Sequence, residues 1–307
     1  MKRKWLFMIL LAFYASCGDQ PRPEAAEDGP PGRGVREPIL AGTWYPGEAG
    51  DLRRTIQGYL AAAKGGAVQG ELRGLVVPHA GHMYSGQVAA YAYSLLEGFP
   101  VERVILIGPS HRFGFKGISV DLQSGYRTPL GTVPVDQEFG KRLLEADSTL
   151  RDVPQAHSQE HSLEIQVPFL QVVLKRFRLV PIVMGQQDLA TCSRLAETLF
   201  RAMGDDRKNL VIASTDLSHF HTDSKARELD REFIRNVEIY DPEGLSKSLS
   251  GGSCEACGGG PTVAAMLTAR ALGADRAVLL RYANSGDVTG QRREVVGYVS
   301  AALIRGK

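Results

Sequence analysis

Residue types able to bind a metal or carry a proton gather in five short stretches of this 307-residue sequence. They are Pro78-His79-Ala80-Gly81-His82, Gly108-Pro109-Ser110-His111, Glu160-His161-Ser162-Leu163-Glu164, Ser214-Thr215-Asp216-Leu217-Ser218-His219 and Cys254-Glu255-Ala256-Cys257. Neutral imidazole is the commonest nitrogen ligand of zinc, iron and copper. A single histidine is usually a satisfied structural residue. Five of the seven here, each placed just after a strand or in a strand-to-helix turn, point to a metal site.

The other stretches suggest supporting chemistry. His161 and Glu164 are three apart, hence on one helical face, and suit an orienting or acid/base role rather than direct ligation. Asp216 and His219 suit proton transfer at a cleft, or orientation of a ligand imidazole. A lone Cys-x-x-Cys is a redox pair, half of a zinc site or a disulfide. A structural zinc site needs a further Cys pair, which Cys192, in a predicted helix, does not supply. Glycines flank Cys257, and the helix predicted from Pro261-Thr262 would aim its positive end at the thiol. Cys257 is therefore expected as a reactive or metal-binding thiolate, with a disulfide to Cys254 as the alternative.

These stretches need elements to hold them. Apolar runs predict strands over 72–77, 103–107, 179–184, 210–213, 277–282 and 295–303. Helical spacing predicts helices over 86–96, 136–144, 160–175, 189–203, 224–237 and 262–272. Strands alternating with helices predict an α/β domain with a mostly parallel central sheet covered on both faces. In such sheets, ligands sit beyond the carboxyl ends of the strands, where His79, His111, Asp216 and His219 fall. No internal repeat or second linker interrupts the chain, so one domain is expected over 38–307.

The amino terminus is different in kind. Lys2-Arg3-Lys4 is cationic, and Trp5 to Ala15 is an apolar run too short to span a bilayer as a helix. Ala15-Ser16 then precedes Cys17. Residues 1–17 read as a signal peptide with a lipoprotein box, lipidated at Cys17, and 18–37, rich in Pro, Gly and Glu, as a flexible tether. The expected location is the bacterial cell envelope, on the membrane only through that anchor; the alternative is cytoplasmic. Net charge is +2 and no basic patch interleaves with aromatics, so no nucleic-acid partner is expected.

The motifs Val77-Pro78-His79-Ala80-Gly81 with Tyr84-Ser85-Gly86, Ile107-Gly108-Pro109-Ser110-His111, Tyr126-Arg127-Thr128-Pro129-Leu130-Gly131, Glu160 to Glu164 with Val167-Pro168-Phe169, Ser214 to His219, and Cys257-Gly258 occur in order. Together they resemble the MEMO family, called AmmeMemoRadiSam system protein B in bacteria, from about Pro38 to the C-terminus. That resemblance implies a fold similar to class III extradiol dioxygenases. It implies one mononuclear metal, iron or copper rather than zinc, held by His79, His111 and Cys257. Asp216, His219, His161 and Glu164 are the implied catalytic or pocket residues, with Tyr84, Ser110 and Cys254 around them. His82 stands where the family has an aromatic residue and would add an imidazole near the metal. The implied activity is a dioxygenase-type oxidation of a small-molecule or peptide ligand. The alternatives are a non-catalytic metal- or protein-binding module on the same fold, or a component of a modification system.

Overall fold

The apolar runs predicted as strands carry through into the computed structural model, which describes residues 33–63, 68–204 and 206–306. The signal peptide, Cys17 and most of the tether read from the sequence lie outside these residues. In chain order the elements are β1 (Val35–Arg36), α1 (Ala49–Ala62), β2 (Glu71–Val77), α2 (His82–Tyr93), β3 (Arg103–Pro109), β4 (Ile118–Val120), β5 (Gly125–Thr128), β6 (Gly131–Pro134), α3 (Gln137–Ala146), β7 (Leu150–Arg151), α4 (Pro154–Ser158), α5 (His161–Glu164) and α6 (Val167–Val173). They continue with β8 (Arg178–Met184), α7 (Leu189–Met203), β9 (Asn209–Ser214), β10 (His219–His221), α8 (Asp223–Glu238), α9 (Pro242–Ser250), α10 (Gly259–Ala271), β11 (Arg276–Asn284), α11 (Ser285–Thr289) and β12 (Val295–Arg305).

Among the described residues, the main sheet has nine strands in the order β10-β12-β2-β9-β3-β8-β4-β7, with β11 also paired to β12. Its centre, β2-β9-β3-β8, is parallel throughout. The flanks are mixed: β12 runs antiparallel to β2, β10 and β11, and β4 antiparallel to β8. The mostly parallel sheet therefore describes the centre, while the last strand of the chain reverses direction at one side. β1, β5 and β6 form a separate three-stranded sheet.

Side chains alternate across the central strands as the pleat requires. Val76, Ile105, Ile107, Val211 and Ala213 face a core with Phe139, Leu195, Phe233 and Met266 from α3, α7, α8 and α10. Leu75, Val77, Leu106, Leu210 and Ile212 face a second core with Leu52, Ile56, Tyr93 and Phe169 from α1, α2 and α6. A sheet buried on both faces explains strands that read as near-continuous apolar runs.

The helix predicted over 160–175 is broken into α5 and α6. Pro168 sits in the first turn of α6, the one place in a helix where its missing N–H costs nothing. The break frees the Gln166 amide to donate to the Pro78 carbonyl and the Ser214 hydroxyl, at 2.9 and 2.8 Å.

Residues 33–37, assigned by composition to the tether, are anchored instead. Arg36 is buried and donates to the carbonyls of His157 and Glu160 and to the Glu164 carboxylate. No helix among the described residues is long and apolar enough to cross a membrane.

Candidate metal centre

The parallel register brings the turns after β2, β3 and β9 to one edge of the sheet. His79 follows β2, His111 follows β3, and Asp216 follows β9. His161 enters from α5. The rings of His79 and His111 lie 5.1 Å apart, His79 and His161 5.5 Å, and His111 and His161 4.3 Å, centre to centre. One nitrogen from each can be chosen so that all three lie within 4.8 Å of one another, the spacing of ligands around a single ion.

Each ring is oriented from behind. His79 Nδ1 is 3.0 Å from Ser214 Oγ, which donates its own proton to the Ser162 carbonyl. The His79 backbone N–H donates to Asp216 Oδ1 at 2.7 Å. Glu160 holds His111 twice, accepting from its backbone N–H at 2.7 Å and lying 2.9 Å from Nδ1. This is the carboxylate–histidine pairing that fixes the tautomer of a metal ligand and leaves Nε2 free. His161 Nδ1 is buried without a hydrogen-bond partner, 3.6 Å from Glu160 Oε1, and its ring packs on Trp44 at 4.8 Å.

The electrostatics keep His79 and His161 deprotonated. Burial and the neighbouring His111 and His161 push His79 well below its ordinary range, and burial and His111 push His161 down to about 4. Burial raises Glu160, but hydrogen bonds from the His111 side chain and from the His111 and Ser162 backbones outweigh it and hold that carboxyl at about 2. Imidazole nitrogens beside an ionised carboxylate are a donor set that suits a divalent transition metal.

Cys257 approaches from the loop before α10. Its Sγ lies 3.0 Å from His79 Nε2 and accepts from the Asp216 N–H at 3.3 Å. The loop hangs on the sheet edge: Cys257 N–H donates to the Asp216 carbonyl, Gly258 N–H to Thr215 Oγ1, and Gln187, after β8, donates to the Cys257 carbonyl and accepts from Gly260 N–H. Burial and Asp216 push the thiol pKa up, so the thiolate forms only against a cation. Cys254 and Cys257 are both free thiols, and Cys254 is buried in the core beneath the loop.

The cleft above the histidines has a volume of about 740 Å³. Asp216 and His219 line it, as does Tyr84. Burial raises Asp216 to about 7, against hydrogen bonds from the His79 and Ala80 backbones, so its carboxyl both gives and takes a proton near neutrality. His219 Nδ1 donates to the Leu217 carbonyl at 2.7 Å, which leaves Nε2 as the basic atom.

Four residues expected in the pocket lie elsewhere. Glu164 is buried, with its oxygens accepting from Arg36, Tyr45 and the backbone N–H groups of Ile39 and Leu40. His82 packs on Tyr45 and Phe169, with Nε2 3.1 Å from the Ile165 carbonyl. The Ser110 hydroxyl donates to the Phe113 carbonyl. Cys254 is core. Conversely, Glu160, Trp44, Ser214, Phe220 and Tyr298 belong to the site or its support and were not assigned from the sequence. Glu160 stands beside His161 in a motif already singled out, which was the available signal.

A histidine cluster at the carboxyl edge of a parallel sheet centre, with a thiol, Asp216 and His219 beside it, defines an α/β protein with a candidate mononuclear metal centre. The sequence profile of the Memo-like protein family matches residues 36–302, and the chain belongs to that family. It is 36% identical to a MEMO1 family protein of Methanopyrus kandleri over 88% of this chain and 99% of that one. It is 37% identical to one of Methanothermobacter thermautotrophicus, over 86% and 98% of the two chains. A MEMO1 family protein of Ignicoccus hospitalis is 38% identical, over 87% and 97%.

Proposed function

We propose that this protein binds one iron or copper ion at His79, His111 and His161, with Cys257 as a further donor beside His79, and that it is an oxidoreductase of dioxygenase type. The observation that carries the reading is the mutual reach of three imidazole nitrogens, one of them oriented by Glu160. A bound ion would supply the site for oxygen and for a substrate oxygen or sulfur atom. The chain's own residues supply the rest. Trp44 and Tyr298 line the cleft as aromatic walls. His219 Nε2 takes a proton from a substrate hydroxyl, and Asp216 stores or returns one. The ligand is a small molecule or peptide group that fits the cleft.

The test is metal analysis of protein purified anaerobically with reductant. About one iron or copper per chain is expected, lost in His79→Ala and His111→Ala; a chain that holds no metal under those conditions sinks the reading. Oxygen uptake with catechol-type compounds then tests the reaction. A binding-only role has its own support: the histidine trio contains no carboxylate, because Glu160 is engaged by His111. Metal-loaded protein that consumes no oxygen with any such compound would favour it.

We further propose export and lipid attachment at Cys17, supported by the cationic and apolar run that precedes it. Globomycin-sensitive processing in the native host is the expected result.

A further inference from the structure

Phe220 occupies a position that nothing in folding rewards. It is the extra residue of a β-bulge: His219 pairs with Val296 and His221 with Val295, and Phe220 between them has no partner in the ladder. Its backbone is left-handed, at φ +62°, a region where a bulky residue is an outlier. Its ring is 72% exposed, so no burial offsets that strain. Bulges next to functional sites re-aim side chains. Here the bulge lets His219 line the cleft while His221, on its other side, is held 2.8 Å from Glu255 in the Cys257 loop. Phe220 is thereby set at the mouth, its ring edge-on to His219 at 5.7 Å.

Two more exposed apolar side chains line the same cleft from the first turn of α2: Met83, 64% exposed, and Tyr84. Large apolar side chains left in water at one mouth mark a binding surface. Among the described residues lining the cleft there is no Lys or Arg, and Glu294 adds a carboxylate. An anionic ligand arm would find no Lys or Arg among these lining residues.

Resting on the reading of the cleft as a metal-centred ligand site, we propose that Phe220, with Met83 and Tyr84, forms an apolar lip that selects ligands bearing an uncharged aromatic or branched apolar group beyond the atoms that reach the histidines. Phe220 is then a specificity-determining residue, and its strained backbone presents the ring.

The experiment loads the full-length protein with cobalt(II) and follows the visible spectrum while titrating imidazole and 4-phenylimidazole. The two probes share the ligating nitrogen and differ in one phenyl ring. Wild type is expected to prefer 4-phenylimidazole by about tenfold or more, the scale of burying part of a ring. Phe220→Ala, Phe220→Gly and Met83→Ala are each expected to reduce that preference at least about threefold while leaving imidazole affinity within about twofold. Because glycine adopts left-handed backbone freely, Phe220→Gly should also melt above Phe220→Ala, by about 2 °C. A preference unchanged in all three variants would overturn the lip. Wild-type protein that takes up no cobalt, or whose cobalt spectrum ignores imidazole, would overturn the metal reading and the lip with it.

Discussion

Arg36 Nη1 donates to Glu164 Oε2 at 2.6 Å, with the two side chains 3% and 1% exposed, and the pair ties the strand that opens the described chain to the short helix carrying His161. Removing one partner of a buried ion pair leaves the other charge uncompensated in low dielectric. Arg36→Met alone, or Glu164→Leu alone, is expected to cost about 3–5 kcal/mol, read from the urea midpoint and slope. The double replacement should recover only part of that loss, because the carbonyls of His157 and Glu160 and the N–H groups of Ile39 and Leu40 also lose their partners. A single variant within about 1 kcal/mol of wild type would show that the strap is held by its other contacts.

Glu160 touches both His111 and the start of α5, where it accepts from the Ser162 N–H at 2.8 Å. Glu160→Gln keeps the shape and removes the charge. Carboxylates that orient ligand histidines typically contribute 10–100-fold to metal affinity. A loss of about that size is expected in competition with a chromophoric chelator, with a smaller change in the urea midpoint.

Gly258 lies where the Cys257 loop crosses the end of β9. A Cβ there would sit 2.2 Å from the Ser214 carbonyl oxygen and 2.7 Å from Thr215 Cβ. Backbone cannot yield as a flexible side chain can. Gly258→Ala is expected to destabilise by about 1–3 kcal/mol, the range for overpacking, and to weaken metal binding by moving Cys257. Thermal melting and the same chelator competition read both effects; a variant normal in both would refute the close approach.

His157 is buried away from the cleft, with Nε2 2.9 Å from Ser119 Oγ and Nδ1 3.8 Å from Asp121 Oδ2. Burial lowers its pKa from the ordinary 6.5 to about 4, and Asp121 only partly offsets that. The folded state therefore rejects a proton that the unfolded chain accepts. Its contribution is complete above pH 6.5 and is lost as pH falls toward 4, on the order of 3 kcal/mol in all. His157→Gln should flatten the fall in urea midpoint between pH 7 and pH 4.5. Parallel curves for the two proteins would argue against a buried, neutral His157.

Strands β2, β3, β8, β9, β11 and β12 were legible in the sequence because burial leaves a local apolar record, whereas the short β1, β4, β5, β6, β7 and β10 leave no such run; the carboxyl-edge rule then placed His79, His111, Asp216 and His219 from their position just after strands. The same local reasoning put His161 and Glu164 together on one helical face and gave them one role. The tertiary structure separates them: α5 is a single turn, His161 turns to His111, and Glu164 turns to Arg36, 128 residues earlier in the chain. The contact of Cys257 with His79 spans 178 residues and depends on Gln187 and Thr215 holding the loop. Spacing records which side of an element is buried. Which long-range partner satisfies a buried charge is decided only when distant segments pack, and here that choice assigned His161 to the candidate metal centre and Glu164 to the scaffold.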